Sequence, residues 1–209
     1  MDNQLAALLG GSGADANEEM RGSPRFTLLI RAASLVAHEG EFVCVVRDVS
    51  DTGLSVRLFH RLPKGDPIEL HMPCGSVYVL KPVWERDNQA GFEFAEPVDV
   101  AKLIDEAGDY PKRGIRLGIH LPVTVSTLSE RVEGVIENLS QQGARIESDG
   151  VFAINQTVTL KCDEALGEIR AKVRWRRDRH CGVVFDDTMT LGQFARLAAQ
   201  LQCPLLLND

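Results

Sequence analysis

Residues 47–57 read RDVSDTGLSVR, and residues 137–147 read ENLSQQGARIE. Both stretches carry the pattern (D/N)xSxxG, which begins at Asp48 in the first and at Asn138 in the second. The two copies are separated by about ninety residues, the length of one small domain. A pattern that returns at such a period indicates that one folding unit has been duplicated.

The similarity between the two halves continues on both sides of this pattern. Upstream, Arg21-x-x-x-Arg25 corresponds to Lys112-x-x-x-Arg116. Downstream, each half has the spacing W-x6-G-x2-F, formed by Trp84, Gly91 and Phe94 and by Trp175, Gly182 and Phe185. Because these landmarks occur in the same order in both halves, the sequence predicts a tandem repeat.

Composition and charge limit the class of protein. The 209 residues suffice for two domains, and no apolar run reaches the roughly 20 residues that cross a bilayer. The N-terminus lacks the basic start and long apolar core of a secretory signal, so we expect a cytoplasmic protein without membrane insertion. The net charge of −7 disfavours non-specific binding to DNA or RNA, although a local arginine cluster could hold a small anion.

The five cysteines are scattered without a CxxC pair. An odd number of cysteines in a chain without an export signal argues against a disulfide framework. Zinc ligands usually occur in close pairs, and the histidines show no ligand spacing either. We therefore predict no metal site and no cofactor.

Short alternating runs between turn residues predict strands in both units. In the first unit they cover 26–35, 42–46, 53–59, 67–72, 77–84 and 91–94, and a helix fits 97–107. In the second unit they cover 121–127, 132–137, 143–148, 157–161, 168–175 and 181–185, and a helix fits 191–202. We assign 1–20 to a flexible tail with a helical turn at 4–9, 21–108 to the first domain and 109–209 to the second. Many short strands favour small barrels, because closure removes exposed strand edges.

The combination of RxxxR, (D/N)xSxxG and a Trp/Gly/Phe strand pair resembles the PilZ domain family. The resemblance covers nearly everything after residue 20, twice over. It implies a mainly all-β chain of two small six-stranded antiparallel β-barrels, each followed by a short C-terminal helix. It also implies that the ligand is cyclic di-GMP, a bacterial second messenger.

In the first domain, the resemblance places ligand binding on Arg21, Arg25, Asp48, Ser50 and Gly53. The chemistry fits, because the guanidinium fork of arginine matches phosphate oxygens and guanine O6 and N7. The Asp48 carboxylate can accept guanine N–H groups, and the serine adds a hydroxyl group. The glycine allows either a positive φ or a close backbone approach at the turn.

In the second domain, the candidate ligand-binding residues are Lys112, Arg113, Arg116, Asn138, Ser140 and Gly143. Lys112 keeps the positive charge but loses the bidentate fork, a change that is not conservative at a phosphate site. Arg113 could substitute in a different register. The alternative is that this domain serves dimerisation or contact with the first domain.

Two further features have structural interpretations. We expect Trp84 and Trp175 to be core residues, since large aromatic side chains are mostly buried. On the basic stretch 174–179, strand alternation places Arg174 and Arg176 on the face opposite Trp175. That face is either a solvated barrel wall, a docking surface for a partner or a source of extra phosphate contacts for the second site.

The sequence therefore predicts a cyclic di-GMP sensor and effector, with no enzymatic activity and with an unidentified protein partner. The hypothesis is that ligand capture orders the segments around 21–25 and 109–116 and changes how the barrels are arranged. The alternative is a partly or wholly ligand-free scaffold that acts by protein–protein interaction, and a homodimer is left open. An oligonucleotide-binding barrel would need exposed aromatics beside basic residues on a strand face. No catalytic triad, P-loop or paired carboxylates indicate an enzyme.

Overall fold

The computed structural model describes residues 26–65, 67–104, 114–162 and 166–207. The tail at 1–20, its predicted helical turn, and the candidate residues Arg21, Arg25, Lys112 and Arg113 lie outside the described residues. Within the described residues, the predicted order of strands and helices is confirmed in both units.

The first unit is a closed antiparallel barrel in which the strands follow the order β1-β2-β3-β6-β5-β4. The barrel closes because β1 pairs with β2 along one edge and with β4 along the other. Its strands are β1 (Phe26–Ala37), β2 (Gly40–Val49), β3 (Gly53–Arg57), β4 (Ile68–His71), β5 (Val77–Arg86) and β6 (Gln89–Phe94).

The second unit repeats this topology, with β9 paired to both β8 and β10 to close the barrel. An unpredicted two-residue strand, β7, pairs with the end of β9, where Arg116 lies opposite Ser140. The strands are β7 (Arg116–Leu117), β8 (Leu121–Ser126), β9 (Arg131–Ser140), β10 (Gly143–Ser148), β11 (Thr157–Lys161), β12 (Glu168–Arg177) and β13 (His180–Phe185).

Helices follow each barrel. α1 (Val100–Ile104) lies inside the predicted helix at 97–107, and α2 (Leu191–Gln202) has the predicted bounds. The side chain of Thr190 accepts a hydrogen bond from the backbone of Gln193, whose own side chain bonds back to the Thr190 backbone. This capping box satisfies donors that the first helical turn would leave unpaired. A 3-10 turn follows at Pro204–Leu207, and no described helix is long and apolar enough to span a membrane.

Each barrel has its own apolar core, and α2 connects the two barrels. Phe194, Ala195 and Ala198 of α2 are buried in the core of the second barrel. Ala199, the next residue along the helix, is buried against Phe42 of β2 in the first barrel. The helix thus packs between the two barrels.

Polar contacts extend this interface between the barrels. The side-chain amide of Gln202 accepts from the backbone N–H of Glu41 at 2.8 Å and donates to its carbonyl at 2.7 Å. The carboxylate of Glu41 accepts a hydrogen bond from the backbone N–H of Gly118 at 2.9 Å. Glu41 therefore contacts the second barrel at two separate points, α2 and the chain just after β7.

Candidate ligand-binding clefts

The first (D/N)xSxxG copy forms a tight turn between β2 and β3. The backbone N–H of Ser50 donates to the carbonyl of Gly53 at 2.8 Å. The Ser50 hydroxyl donates to the same carbonyl at 3.2 Å and accepts from the Gly53 N–H at 3.2 Å. The hydroxyl proton is thus used within the turn, and the oxygen also lies 3.4 Å from the Thr52 hydroxyl, which can donate to it.

The second copy forms the equivalent turn between β9 and β10. The Ser140 hydroxyl donates to the Gly143 carbonyl at 3.0 Å and accepts from the Gln142 N–H at 3.4 Å. The serine of the motif therefore has a structural role in both copies, in addition to the ligand contact that the sequence predicts for it.

The glycine of each motif lies where another strand passes closely. A Cβ atom on Gly53 would collide with the backbone carbonyl of Phe92, and one on Gly143 would collide with that of Val183. Neither glycine has a positive φ. Of the two alternatives drawn from the sequence, close backbone approach is therefore the one that applies.

The first motif residue lies on β2 in one barrel and on β9 in the other. Asp48 is half-buried, lies opposite Ser55 of β3, and accepts a hydrogen bond from the Ser55 hydroxyl at 2.9 Å. Asn138 occupies the equivalent register position, opposite Arg145 of β10. In both strands a β-bulge immediately precedes this residue, at Arg47 and at Glu137. The two barrels thus share backbone geometry and differ in polar side chains.

Asp48, Ser50 and Gly53 meet in a cleft of about 390 Å3 on the outside of the first barrel. Trp84 and Arg86 of β5 line the same cleft, and the Arg86 guanidinium lies 5.4 Å from the centre of the Trp84 ring. The described charges of this cleft are two carboxylates, on Asp48 and Glu93, and one guanidinium, on Arg86.

The second barrel has the equivalent cleft, with a volume of about 510 Å3. Arg116, Ser140 and Gly143 line it together with Arg174 and Trp175 of β12. No acidic residue is among its described lining residues, and Asn138 is not among them either. The structure therefore brings three of the six residues predicted for this domain into one cleft.

The prediction that Trp84 and Trp175 are core residues is wrong. Trp84 is 38% exposed and Trp175 is 41% exposed, so neither is a core residue, whereas Gly91, Gly182, Phe94 and Phe185 are buried. The cause is a β-bulge immediately before each tryptophan, which interrupts the alternation of β5 and β12. Each indole lies on the outer surface against the backbone of Gly91 or Gly182.

The same bulge changes the position of Arg174. Strand alternation predicts Arg174 on the face opposite Trp175, but Arg174 is the extra, unpaired residue between Val173 and Trp175. Both Arg174 and Trp175 line the second cleft. The prediction of opposite faces is therefore wrong for these two residues, because bulges re-aim side chains.

Another polar cluster lies on the wall of the second barrel. Glu137, Glu147 and His180 place one potential metal-ligand atom each within 4.8 Å of one another. The Glu137 carboxylate is already paired with Arg145 at 2.7 Å, and the Glu147 carboxylate lies 3.7 Å from Arg179. This arrangement is best described as a network of ion pairs.

Comparison with known families assigns the fold. The model of the PilZ domain matches residues 19–106 and 112–202. This chain belongs to the PilZ family. Both copies of the motif and both clefts lie within the matched segments. Comparison with curated proteins found no significant match.

Several solved structures resemble this tandem PilZ chain. PlzA of Borreliella burgdorferi in complex with c-di-GMP is 15% identical, over 88% of this chain and 95% of that chain, with a TM-score of 0.36. MotI/DgrA, an inhibitor of motility of Bacillus subtilis, is 14% identical, over 86% and 99%, with a TM-score of 0.37. YcgR from Escherichia coli in complex with c-di-GMP is 10% identical, over 84% and 82%, with a TM-score of 0.33. Because these identities and TM-scores are low, the family assignment depends on the match to the PilZ family model.

Proposed function

We propose that this tandem PilZ protein is a cyclic di-GMP receptor that binds the nucleotide in its two clefts and thereby controls a protein partner. The observation that carries the proposal is the construction of the clefts. In each barrel the motif turn borders an outer-surface cleft that also contains a partly exposed tryptophan and at least one arginine.

The cleft residues match the chemistry of the ligand. Cyclic di-GMP has two phosphates, which arginine binds through paired N–H donors, and two guanines with N–H donors and flat π faces. In the first cleft, the outward part of the Asp48 carboxylate can accept guanine N–H groups. The exposed indoles of Trp84 and Trp175 offer surfaces on which a base can stack, an interaction of about 1–3 kcal/mol per base.

The two clefts differ in their need for additional positive charge. The described residues give the first cleft a formal charge of −1, from Asp48, Glu93 and Arg86. We propose that Arg21 and Arg25, which immediately precede β1, supply the cations that this cleft needs for phosphate. The second cleft has two described arginines and no described acid, so its dependence on Lys112 and Arg113 is smaller.

We propose that binding is transmitted from the second cleft to the first barrel through β7. Arg116 lines the cleft, and two residues later the N–H of Gly118 donates to the Glu41 carboxylate of the first barrel. A ligand that pulls on Arg116 changes the position of β7 and so favours one arrangement of the barrels over another. The size of this effect is limited by the difference in ligand affinity between the two arrangements.

The receptor proposal is tested by calorimetric titration with cyclic di-GMP of the wild type, Arg25→Ala and Arg116→Ala. Arg131→Ala serves as the control, because Arg131 is exposed on β9 outside both clefts. Loss of a charged hydrogen bond of about 1.5–3 kcal/mol should weaken the affected cleft by roughly 10- to 100-fold. Wild type without binding would refute the receptor function and leave a ligand-free scaffold as the working model.

The transmission step needs its own measurement. Hydrogen–deuterium exchange of 114–121 and 40–49 should change on ligand addition in the wild type, and Glu41→Gln should remove the change at 40–49. Glu130→Gln is the matched control, since Glu130 lies at a hairpin tip where its backbone carbonyl makes the local contacts. An unchanged response in Glu41→Gln would exclude this route while leaving ligand binding intact.

A further inference from the structure

The bulge on β12 gives the second cleft a cation that the first cleft lacks. In β5 the extra residue of the bulge is Val83, which is 57% exposed beside Trp84. In β12 the residue at the same place is Arg174, beside Trp175. The two barrels therefore present a valine and an arginine at equivalent positions on the cleft wall.

The guanidinium of Arg174 is held weakly compared with its neighbours. Among the described residues, it donates a 3.4 Å hydrogen bond to the side-chain oxygen of Asn155. Within the described part of the chain it has no carboxylate within 4 Å, whereas Arg179 lies 3.0 Å from Asp149 and Arg170 lies 3.8 Å from Asp186. Arg174 can therefore turn to an anion without breaking an ion pair.

Arg116 lies in the same cleft, on the short strand β7, and likewise has no carboxylate partner among the described residues. The two arginines come from different elements of the barrel, and the motif turn with Ser140 and Gly143 borders the same cleft. Arginines that line one cleft without a described acid offer paired N–H donors to phosphate oxygens.

We propose that Arg174 is a phosphate-binding residue of the second cleft and supplies the guanidinium fork that Lys112 lacks. This inference rests on the proposed function, because it assigns a residue to the same cleft and the same ligand. It predicts that the second cleft binds cyclic di-GMP through Arg116 and Arg174, with less dependence on the lysine. The adjacent Arg176 does not belong to the site, because it is outside the cleft and donates to the Phe152 carbonyl at 3.4 Å.

The test is calorimetric titration of the full chain with cyclic di-GMP, in an Arg25→Ala background that suppresses the first cleft. Adding Arg174→Ala should weaken binding by about 10- to 100-fold, the effect of one charged hydrogen bond. Arg174→Lys should rescue this loss in part, because it restores charge without the fork. Arg176→Ala is the control and should leave the affinity unchanged.

A gain-of-function arm tests the same idea in the other barrel. In an Arg116→Ala background, Val83→Arg should tighten binding at the first cleft by about 10-fold, because it adds the missing guanidinium. A general effect on folding would not produce such a gain.

Each outcome has a distinct meaning. Equal affinities in Arg174→Ala and Arg176→Ala would overturn the role of Arg174 while the receptor function stands. Binding in the wild type that disappears with Arg25→Ala alone would show that the second cleft is not a site, which also overturns the inference. Absence of binding in the wild type would overturn the receptor function and this inference together.

Discussion

Gly182→Ala tests whether the tryptophan is a fixed wall of the second cleft. A Cβ atom at this position would overlap the indole of Trp175, and its three nearest atoms are Nε1, Cε2 and Cδ1 of that ring. Because an indole is rigid and cannot bend out of the way, the whole ring must move. The substitution therefore separates Trp175 from the surface of β13 without changing the tryptophan itself.

The expected magnitude follows from the area that the ring loses. Trp175 is 41% exposed, so about three fifths of its accessible surface is covered. A buried tryptophan removes roughly 200 Å2 from water, and at about 25 cal/mol per Å2 three fifths of this corresponds to about 3 kcal/mol as an upper limit. We expect the free energy of unfolding to fall by about 1–3 kcal/mol.

Fluorescence shows directly whether the ring has moved. The chain has two tryptophans, so Trp84→Phe leaves Trp175 as the single tryptophan emitter. In that background Gly182→Ala should shift the emission to longer wavelength and increase quenching by acrylamide. Gly114→Ala is the control, because nothing lies within 4 Å of a Cβ atom added there.

A double-mutant cycle decides whether the reasoning is correct. If the cost of Gly182→Ala comes from displacing the indole, the cost should nearly disappear in a Trp175→Ala chain. Unfolding in urea, followed by far-ultraviolet circular dichroism, gives the four free energies. If the unfolding free-energy costs of Gly182→Ala and Trp175→Ala were additive, or if the emission spectrum did not change, the idea that the indole packs directly on Gly182 would be refuted.

Three other predictions concern the interface and α2. Burial lowers the pKa of His60 from its usual 6.5, so its stabilising contribution should be complete above pH 6.5 and be lost as the pH falls below this value; urea midpoints at pH 7.5 and 5.5 should differ less in His60→Phe. Phe42→Ala removes a fully buried ring between β2 and α2, and it should cost about 3–5 kcal/mol and increase hydrogen exchange in α2. Thr190→Ala removes the helix cap and should cost about 1 kcal/mol, measured by thermal unfolding.

Most of the fold could be predicted because its signals are local. Alternation between turn residues located the strands, and α2 was predicted with its observed bounds from helical spacing. The motifs that recur in both halves indicate that the two units share one fold. The turns formed by the motif could also be predicted, because their contacts are local: Ser50 bonds to Gly53, three residues further along the chain.

The tryptophan position could not be predicted in the same way. A β-bulge is defined by the register between two strands, and the sequence of one strand does not reveal it. Trp84 and Trp175 fit the core face when alternation is assumed to be unbroken. One signal is present in the sequence, namely the spacing W-x6-G that occurs in both copies. The indole packs against this glycine, and a larger residue at the same position would collide with the ring.

The interface between the barrels was missed for a different reason. The contact between Glu41 and Gln202 joins residues 161 positions apart, and neither residue type is distinctive in sequence. The strand β7 was also missed, because two residues are too few for an alternation pattern. Both features depend on tertiary contacts rather than on local propensity.

The two barrels carry different charges at equivalent positions on their outer surfaces. Arg47, Ser55 and Val83 of the first barrel correspond in register to Glu137, Arg145 and Arg174 of the second. These side chains lie on the outer surface, where a change of charge leaves the core intact. The backbone features that shape the cleft, namely the two bulges and the close approach at the motif glycine, are the same in both barrels. If both clefts bind the same nucleotide, their different charges should give different affinities, and the protein would respond to rising ligand in two steps.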